Sequence, residues 1–410
     1  MLQFFSFAPQ YYCMNVLSDR IQKLAESETI AMSQKSRDLK ALGHDVINLS
    51  LGEPDFNTPE IIKNAAIQAV KDNVSHYTPV PGLVEVREAI AMKLKRDNGL
   101  SYSIDQIVVS TGAKQSLMNT VLCLVNPGDK VVVATPYWVS YKEMIGFAEG
   151  QIVEVIAGVE QNFKITPEQL DDHLDQDTKL FMFSYPSNPT GGAYSKDELL
   201  ALGEVFKKYP NVFIISDEIY EHIRFEGEHF SLAAIPELYD RVITVNGVSK
   251  SFAMTGWRIG YIGASKEIAK ACNKMQGQFT SAPSGISQMA TLAAMLMDPA
   301  DLKPMVNEFN KRRELMIEGL SSIDGVVCNR PEGAFYLFPK VSSIFGKSFD
   351  GRKINNAGDL CMYLLETAHV ATVSGSAFGA DEYIRLSYAA SEDDLKKALD
   401  RIKKAIDQLS

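Results

Sequence analysis

Short runs of apolar and β-branched residues alternate with longer amphipathic stretches through the middle of the chain. Most of these runs are hydrophobic on both faces, as parallel strands covered by helices on two sides must be. The runs occupy residues 106–110, 130–135, 152–156, 179–184, 212–216, 242–245 and 259–263. Between them lie helical candidates such as 195–208, which opens with Ser195 and is rich in strong helix formers. The alternation predicts an α/β fold with a mostly parallel, seven-stranded sheet.

The two ends of the chain have a different pattern. Residues 16–43 read as a helical segment that ends at Gly43. Beyond Pro304, long helices surround short strands near 334–338 and 383–387, which is typical of an α+β arrangement. We therefore predict a second, smaller domain that is completed by the N-terminal segment.

These patterns divide the chain into four segments. We expect residues 61–303 to form a large cofactor-binding domain and residues 304–410 to form a small C-terminal domain, which residues 14–60 join. We expect residues 1–13 to be a non-native or disordered extension, with Met14 as the working initiator. The extension is apolar, but it lacks the basic region of a targeting segment and is too short to span a membrane.

Composition narrows the class of protein. A chain of 410 residues with 46% apolar and 22% charged residues is an ordinary folded protein of two or three domains. Its net charge of −10, with no long basic run, argues against nucleic acid and anionic membranes as partners. The five cysteines are widely spaced and show no zinc-ligand pattern, so we expect no metal site and a reducing, cytoplasmic environment.

Chemically distinctive residues follow several of the predicted strands. In open α/β sheets, ligands bind beyond the carboxyl ends of the strands. Small residues at 111–113 precede a helix, whose bare N–H groups suit a phosphate, although a tight turn explains them equally well. Asn188 follows the fourth run in a rigid Asn-Pro turn, and Asp217 follows the fifth, where a helix N-cap is the simpler explanation. Each signal is weak alone.

Lys250 follows the sixth run and lies among small and apolar residues, with Arg258 eight positions later. Most lysines are solvated, but partial burial and a neighbouring cation both lower the pKa of an amine and expose the free base that a Schiff base needs. A lysine, an acid for the pyridine nitrogen and a phosphate cradle are the parts of a pyridoxal-phosphate site. Together, at strand ends, they favour that cofactor.

The string SKSFAMTGWRIGY at 249–261 resembles the lysine signature of class I/II pyridoxal-phosphate aminotransferases of fold type I. The family's other motifs occur in order and cover nearly all of the chain after residue 14. They are LGEPDF (51–56), Tyr77 with Pro81 and Gly82, TGAKQ (111–115), TPYWVSY (135–141), SNPTGG (187–192), SDEIY (216–220), PEGAFYLFP (331–339) and YIRLSYA (383–389).

The resemblance implies a pyridoxal 5′-phosphate enzyme with a role for each matched residue. Lys250 is implied to attach the cofactor and shuttle the proton, and Asp217 to pair with the ring nitrogen. Asn188 and Tyr220 are implied to hydrogen-bond the ring's 3-oxygen, and Trp138 to stack on the ring. The phosphate is implied to be surrounded by Gly112, Ala113, Lys114, Ser249 and Arg258 and to be reached by Tyr77 of the other subunit of a homodimer, while Arg385 with Gly52 is implied to bind the substrate α-carboxylate. Many members have Ser three residues before the lysine, where this chain has Gly247, so the phosphate cradle must be completed otherwise, for instance by Ser249.

The substrate is indicated by Lys114. The chain looks most like the bacterial type Ib aspartate aminotransferases, in which the matching lysine is taken to bind the distal carboxylate of the substrate. Two separated cations, Lys114 and Arg385, favour a dicarboxylate, whereas a solvated lysine on a turn is the simpler explanation of Lys114. Relatives that accept prephenate have a basic residue four positions before the match of Thr29, where this chain has Ala25, which argues against prephenate.

Three hypotheses follow. The first is an aspartate:2-oxoglutarate aminotransferase with ping-pong kinetics. The second is an enzyme of the same fold that uses aromatic amino acids, alanine or prephenate, or a pyridoxal-phosphate lyase. The third is a cofactor-binding regulator without catalysis, which no appended DNA-binding segment supports.

Overall fold

A computed structural model describes residues 16–410. The extension predicted for residues 1–13 lies outside the described residues. The helices are α1 Asp19–Lys23, α2 Glu28–Ala41, α3 Glu60–Lys71, α4 Val84–Asn98, α5 Ala113–Leu124, α6 Ser140–Phe147, α7 Pro167–His173, α8 Lys196–Lys208, α9 Lys266–Phe279, α10 Gly285–Leu296, α11 Lys303–Ser321, α12 Ala357–Tyr363 and α13 Glu392–Asp407. Short 3₁₀ turns and one π-helical turn, Leu364–Ala368, lie between them.

The strands are β1 Ile47–Asn48, β2 Ile107–Ser110, β3 Lys130–Thr135, β4 Gln151–Ile156, β5 Thr178–Ser184, β6 Phe213–Asp217, β7 Val242–Gly247, β8 Gly260–Gly263, β9 Tyr336–Leu337, β10 Ser348–Phe349, β11 Arg352–Lys353, β12 Val370–Ala371, β13 Val373–Ser374 and β14 Ile384–Ser387. All seven predicted runs form strands of one sheet, β2 to β8. Its spatial order is β2-β8-β7-β6-β5-β3-β4, and only β8 runs antiparallel to its neighbours. The predicted α/β fold with a mostly parallel, seven-stranded sheet is confirmed.

The large sheet is covered on both faces because neighbouring residues of each strand point to opposite sides. Val132, Phe181 and Ile214 pack into a core with helices α4, α8 and α10. Their neighbours in sequence, such as Val131 and Ile215, pack into a second core with α5, α6 and α9. This explains why the strand runs are apolar at successive positions, which is the pattern that the sequence showed.

The register of the central strands brings their carboxyl ends to one edge. Ser184 at the end of β5 pairs with Asp217 at the end of β6, and Asp217 pairs with Val245 of β7. Polar residues that follow these strands therefore lie beside one another, although long stretches of sequence separate them.

The N-terminal segment and the C-terminal part of the chain pack together. Strand β1 pairs in parallel with β12, and Ile47 and Leu49 belong to a core formed with helices α11, α12 and α13. Strands β13, β14 and β9 form a three-stranded antiparallel sheet. The segment expected to be one helical stretch up to Gly43 is two helices, because residues 24–27 interrupt it between α1 and α2. The domain boundaries themselves stay a proposal.

No helix within residues 16–410 combines the length and the apolar character that crossing a membrane requires.

Candidate active site

A cavity of about 300 Å³ lies at the carboxyl edge of the large sheet. Every predicted site residue except Gly112 and Tyr77 lines it. Those that line the cavity are Gly52, Ala113, Lys114, Trp138, Asn188, Asp217, Tyr220, Ser249, Lys250, Arg258 and Arg385. Gly112 lies against the guanidinium of Arg258, whereas Tyr77 is fully exposed at the surface. Predicted site residues as far apart in sequence as Gly52 and Arg385 thus share one cavity.

Lys250 lies three residues beyond the end of β7, with its amine in the cavity. Its Nζ donates a hydrogen bond to the carbonyl oxygen of Gly52 at 2.5 Å and lies 5.7 Å from the centre of the Tyr220 ring. Burial lowers the pKa of Lys250 to about 8, and the positive charges of Arg385 and Arg258 act in the same direction. A large fraction of the amine is therefore neutral and nucleophilic at mildly alkaline pH.

Asp217 ends strand β6 and is almost fully buried, at 5% exposure. Its Oδ2 accepts a hydrogen bond from the Tyr141 hydroxyl at 2.8 Å, and its Oδ1 accepts one from the Ile219 N–H at 3.3 Å. Burial raises the pKa of Asp217 to about 6, while these hydrogen bonds oppose the rise. A buried carboxylate without a cation is costly. Asp217 is therefore suited to pair with a protonated ring nitrogen.

The start of helix α5 forms an anion-binding turn. Gly112 is its N-cap with φ +82°, and a Cβ there would lie 2.4 Å from Nη2 of Arg258. A Cβ on Gly260 of β8 would lie 2.1 Å from the backbone nitrogen of Ala113. Both glycines therefore let the guanidinium and the strand approach the turn closely. The N–H groups at a helix start and a guanidinium together suit a phosphate.

Gly247 has a structural reason for departing from the family pattern. It ends β7 and pairs with Gly260 of β8, and a Cβ there would lie 2.7 Å from the carbonyl oxygen of Ile259. A serine at this position would have to displace backbone. Ser249, two residues later, lines the cavity.

Arg385 is buried, at 1% exposure, on strand β14. Its Nη1 donates to Oδ1 of Asn188 at 2.9 Å and its Nη2 donates to the carbonyl of Ser50. The guanidinium lies 4.7 Å from the centre of the Tyr336 ring. Within residues 16–410 no carboxylate forms an ion pair with it, and its buried Nε has no hydrogen-bond partner. A buried cation without an anion favours binding of an anionic ligand.

Lys114 supplies a second cation to the same cavity. Its Nζ lies 4.8 Å from the centre of the Trp138 ring. Burial lowers the pKa of Lys114, and the nearby charge of Arg258 adds to the effect. In the described part of the chain, no carboxylate lies within ion-pair distance of Lys114. The cavity therefore offers two cationic groups from different elements, α5 and β14.

Several residues that line the cavity or contact its lining were not predicted from the sequence. Tyr336 shares a hydrogen bond of 2.7 Å with the Tyr220 hydroxyl, and Tyr141 bonds Asp217. Both lie inside motifs that the sequence showed, at 331–339 and 135–141, so their position was a usable signal. The other lining residues, for which no role was assigned, are Ser27, Thr29, Ile30, Leu51, Glu53, Leu117, Val139, Ser140, Ser184, Ile219 and Thr255.

A buried polar network lies behind the site. Glu218, Glu221 and His229 offer ligand atoms within 4.8 Å of one another, a spacing that a metal ion could use. However, Lys93 forms a buried ion pair with Glu221, and Glu218 accepts hydrogen bonds from Ser216 and Ser231 at 2.8 Å. These partners already compensate the two carboxylates, so the cluster is a structural network below the cavity.

Comparisons with known proteins agree with this geometry. The family described as "Aminotransferase class I and II" matches residues 44–402. A protein of Petunia hybrida named bifunctional aspartate aminotransferase and glutamate/aspartate-prephenate aminotransferase is 45% identical over 95% of this chain and 82% of its own length.

Two solved structures resemble the whole chain. The aspartate aminotransferase of Rhizobium meliloti has a TM-score of 0.92 at 42% identity and covers 99% of this chain and 100% of its own. That of Thermus thermophilus, solved with maleate, has a TM-score of 0.89 at 40% identity and covers 96% of this chain and 100% of its own.

The pKa of Lys250 predicts how its amine would react with pyridoxal phosphate, the cofactor that the resemblance implies. Because only the neutral amine attacks, the rate of covalent capture by the apoprotein should rise with pH and level off with a midpoint near the pKa of about 8. Stopped-flow absorbance measures this rate. Lys250→Ala is the control and should show no capture. A midpoint near the ordinary lysine value of 10.5 would contradict the burial argument.

Proposed function

The chain belongs to the class I and II aminotransferase family, and from this premise we propose that it transfers the amino group of L-aspartate to 2-oxoglutarate, yielding oxaloacetate and glutamate. The observation that carries the proposal is the pair of cations in one cavity, Arg385 and Lys114, without carboxylate partners in the described residues. A dicarboxylate places one anion on each. The relatives' names and the maleate, also a dicarboxylate, in the Thermus thermophilus structure support the same choice.

The cavity fits pyridoxal phosphate. The phosphate would lie on the backbone of Gly112, Ala113 and Lys114, with Ser249 and Arg258 beside it, and Asp217 would meet the ring nitrogen. The glycines at 112 and 260 let Arg258 and strand β8 pack closely against the turn that would hold the phosphate. When bound, the cofactor supplies an electron sink for the negative charge that develops at the substrate Cα.

Each side chain then has a definite task. Arg385 binds the α-carboxylate in a buried, water-poor pocket, and Lys114 holds the distal carboxylate, so the substrate Cα is fixed near Lys250. The Lys250 amine acts as the base that takes the proton from the substrate Cα and then as the acid that returns it to the bound reactants. Asp217 keeps a proton on the ring nitrogen. Burial raises the pKa of Asp217 because its carboxylate loses solvation, and a protonated ring nitrogen would stabilise that carboxylate in place of water.

Tyr220 and Asn188 orient these groups. The Tyr220 hydroxyl is held by Tyr336, and the Asn188 side chain is held by Arg385, so both lie ready to donate to the ring's 3-oxygen. Trp138 forms a wall of the same cavity and would cover the ring face. The amino-acid donor and the 2-oxo acid acceptor bind to the same two cations, Arg385 and Lys114, one after the other. The reaction therefore proceeds as two half-reactions with ping-pong kinetics.

A second candidate acceptor is prephenate, which also carries two carboxylates. The name of the Petunia hybrida relative favours it. The absence of a basic side chain at Ala25 disfavours it, and the Ala25 backbone N–H donates to Oε2 of Glu143 instead. We expect prephenate to be a poorer acceptor than 2-oxoglutarate.

We further propose a cytoplasmic homodimer. Tyr77 is fully exposed, and exposed apolar residues lie near it in sequence on α3, at Ile61, Ile67 and Val70. A second copy of the chain would bury these side chains and bring Tyr77 to the partner's phosphate. The described cysteines are all unpaired, which is consistent with a reducing compartment.

The distal-carboxylate role of Lys114 predicts a selective defect. Lys114→Ala should lower kcat/KM for L-aspartate about 10- to 100-fold, because it removes one charge-assisted hydrogen bond. It should change kcat/KM for L-alanine and L-phenylalanine far less. A donor panel with 2-oxoglutarate as acceptor measures this. Lys270→Ala, an exposed lysine of α9, is the control and should match the wild type. Equal losses with every donor would reject the assignment.

The dimer predicts complementation between two defective variants. Tyr77→Phe should bind pyridoxal phosphate more weakly, and Lys250→Ala should not turn over. A mixed dimer has one intact site, which combines Lys250 of one chain with Tyr77 of the other. Co-refolding the two variants at limiting cofactor should therefore restore turnover above that of either alone. No restoration, together with a monomer in analytical ultracentrifugation, would contradict the shared site.

A further inference from the structure

The loop of residues 50–58, called the site loop from here on, contacts the proposed catalytic groups at successive positions. The Ser50 carbonyl accepts a hydrogen bond from Arg385, and the Gly52 carbonyl accepts one from the Lys250 amine at 2.5 Å. Glu53 lines the cavity and accepts a hydrogen bond from Thr255. The position of this backbone therefore decides where the Lys250 amine points.

Arg312 of α11 anchors the site loop from outside the cavity. Its Nη1 donates to Oδ1 of Asp55 at 2.7 Å, and its Nε donates to Oε1 of Glu308 at 3.0 Å. The guanidinium also lies 5.2 Å from the centre of the Phe56 ring and 5.8 Å from that of Phe309. Arg312 is 7% exposed whereas Asp55 is exposed, so the buried guanidinium is the fixed partner that holds the loop carboxylate.

The chain between this anchor and the catalytic lysine is short and stiff. Only Glu53 and Pro54 separate Gly52 from Asp55. Proline fixes its own φ and restricts the residue before it, so a movement of Asp55 is carried to the Gly52 peptide. A Cβ on Gly52 would lie 2.2 Å from the Tyr336 hydroxyl, so the peptide also has little room to shift sideways.

We propose that Arg312 is a positioning residue for the reaction: by holding Asp55, it fixes the Gly52 carbonyl against the Lys250 amine. The inference rests on the proposed role of Lys250. Arg312 does not line the cavity and touches neither substrate nor cofactor. Its effect is on the direction and the proton affinity of an amine that must meet the substrate Cα.

Loosening the site loop should change the pKa of Lys250. Burial has the largest influence on this amine and lowers its pKa, as do Arg385 and Arg258, whereas Glu53 and Asp217 raise it; Tyr220 presents its ring. The Gly52 carbonyl and Glu53 belong to the site loop, whereas Arg385, Arg258 and Asp217 do not. Displacing the loop removes an acceptor and a negative charge, which lowers the pKa, and admits water, which raises it, so every variant that frees the loop should shift the pKa of Lys250 in the same direction.

Neighbouring arginines on α11 make a matched experiment. Arg313 is as buried as Arg312, at 2%, but donates to the Pro331 carbonyl and to Glu226, away from the site loop. The variants are Arg312→Lys, Asp55→Asn and the control Arg313→Lys. Three quantities are measured: the pKa of Lys250 in the apoprotein, by competitive acetylation with acetic anhydride and peptide mass spectrometry; kcat and KM for L-aspartate; and the thermal midpoint.

Arg312→Lys and Asp55→Asn should each shift the pKa of Lys250 by about half a unit or more, in the same direction, and reduce kcat about tenfold, with KM changed less than about twofold, because positioning is lost and substrate binding is kept. The double variant should resemble either single one, since both break the same contact. Arg313→Lys should lower the thermal midpoint and leave the Lys250 pKa and kcat unchanged.

A pKa of Lys250 that is unchanged in both Arg312→Lys and Asp55→Asn, or that shifts in opposite directions in the two, would overturn the inference. A shift in Arg313→Lys as large as in Arg312→Lys would also overturn it, because the effect would then be general loosening of α11. Asp55→Asn keeps the size of the side chain, so it decides the question if Arg312→Lys does not fold. Failure of the proposed function would show separately, as a wild-type protein that does not capture pyridoxal phosphate on Lys250.

Discussion

The site depends on one constraint: Lys250 and Asp217, whose charges are opposite, are both shielded from water at the carboxyl edge of the sheet. Burial brings the pKa of Lys250 down to about 8 and the pKa of Asp217 up to about 6. Burial thus makes the amine a readier base and leaves the carboxylate in need of a cation. An exposed lysine or aspartate at the same positions would stay fully charged. The fold must therefore hold these groups in an apolar setting while keeping a cavity open above them.

The two cores of the large sheet provide that setting. Strand β6 is buried along its length, and Tyr141, which is fully buried against the second core, places its hydroxyl on Asp217. One cation comes from a different part of the chain. Arg385 arrives on β14, and the site loop reaches the cavity from the core that α11 shares with β1 and β12. The C-terminal part thus supplies Arg385, and the large sheet with its helices supplies Lys250, Asp217, Arg258 and Lys114.

The fold was largely predictable because its signals are local. Runs that are apolar on both faces identify strands covered by helices, and all seven were found. Lys250, Asp217 and Arg258 were also accessible, since they stand directly after strands or in a long family motif. The break between α1 and α2 was missed, because the residues at 24–27 are common in helices and the hydrogen bond from the Ala25 N–H to Glu143 spans 118 positions of sequence.

The residues that position others could not be read from the chain. Tyr141 reaches Asp217 across 76 positions, and Arg312 reaches Asp55 across 257. Tyr141, Asp217 and Asp55 lie in recognisable motifs, but a contact between distant segments leaves no periodic or neighbouring pattern in the sequence. Gly247 is similar: its lack of a side chain follows from the closeness of β8, which only the register shows.

A single-turnover experiment tests the central claim most directly. The protein loaded with pyridoxal phosphate is mixed with excess L-aspartate in the absence of any 2-oxo acid, and the products are quantified per chain. If Lys250, Arg385 and Lys114 act together as an aminotransferase site, one equivalent of oxaloacetate forms and the reaction stops. Added 2-oxoglutarate then gives one equivalent of glutamate. Continuous release of ammonia, or no oxaloacetate at all, would contradict the account.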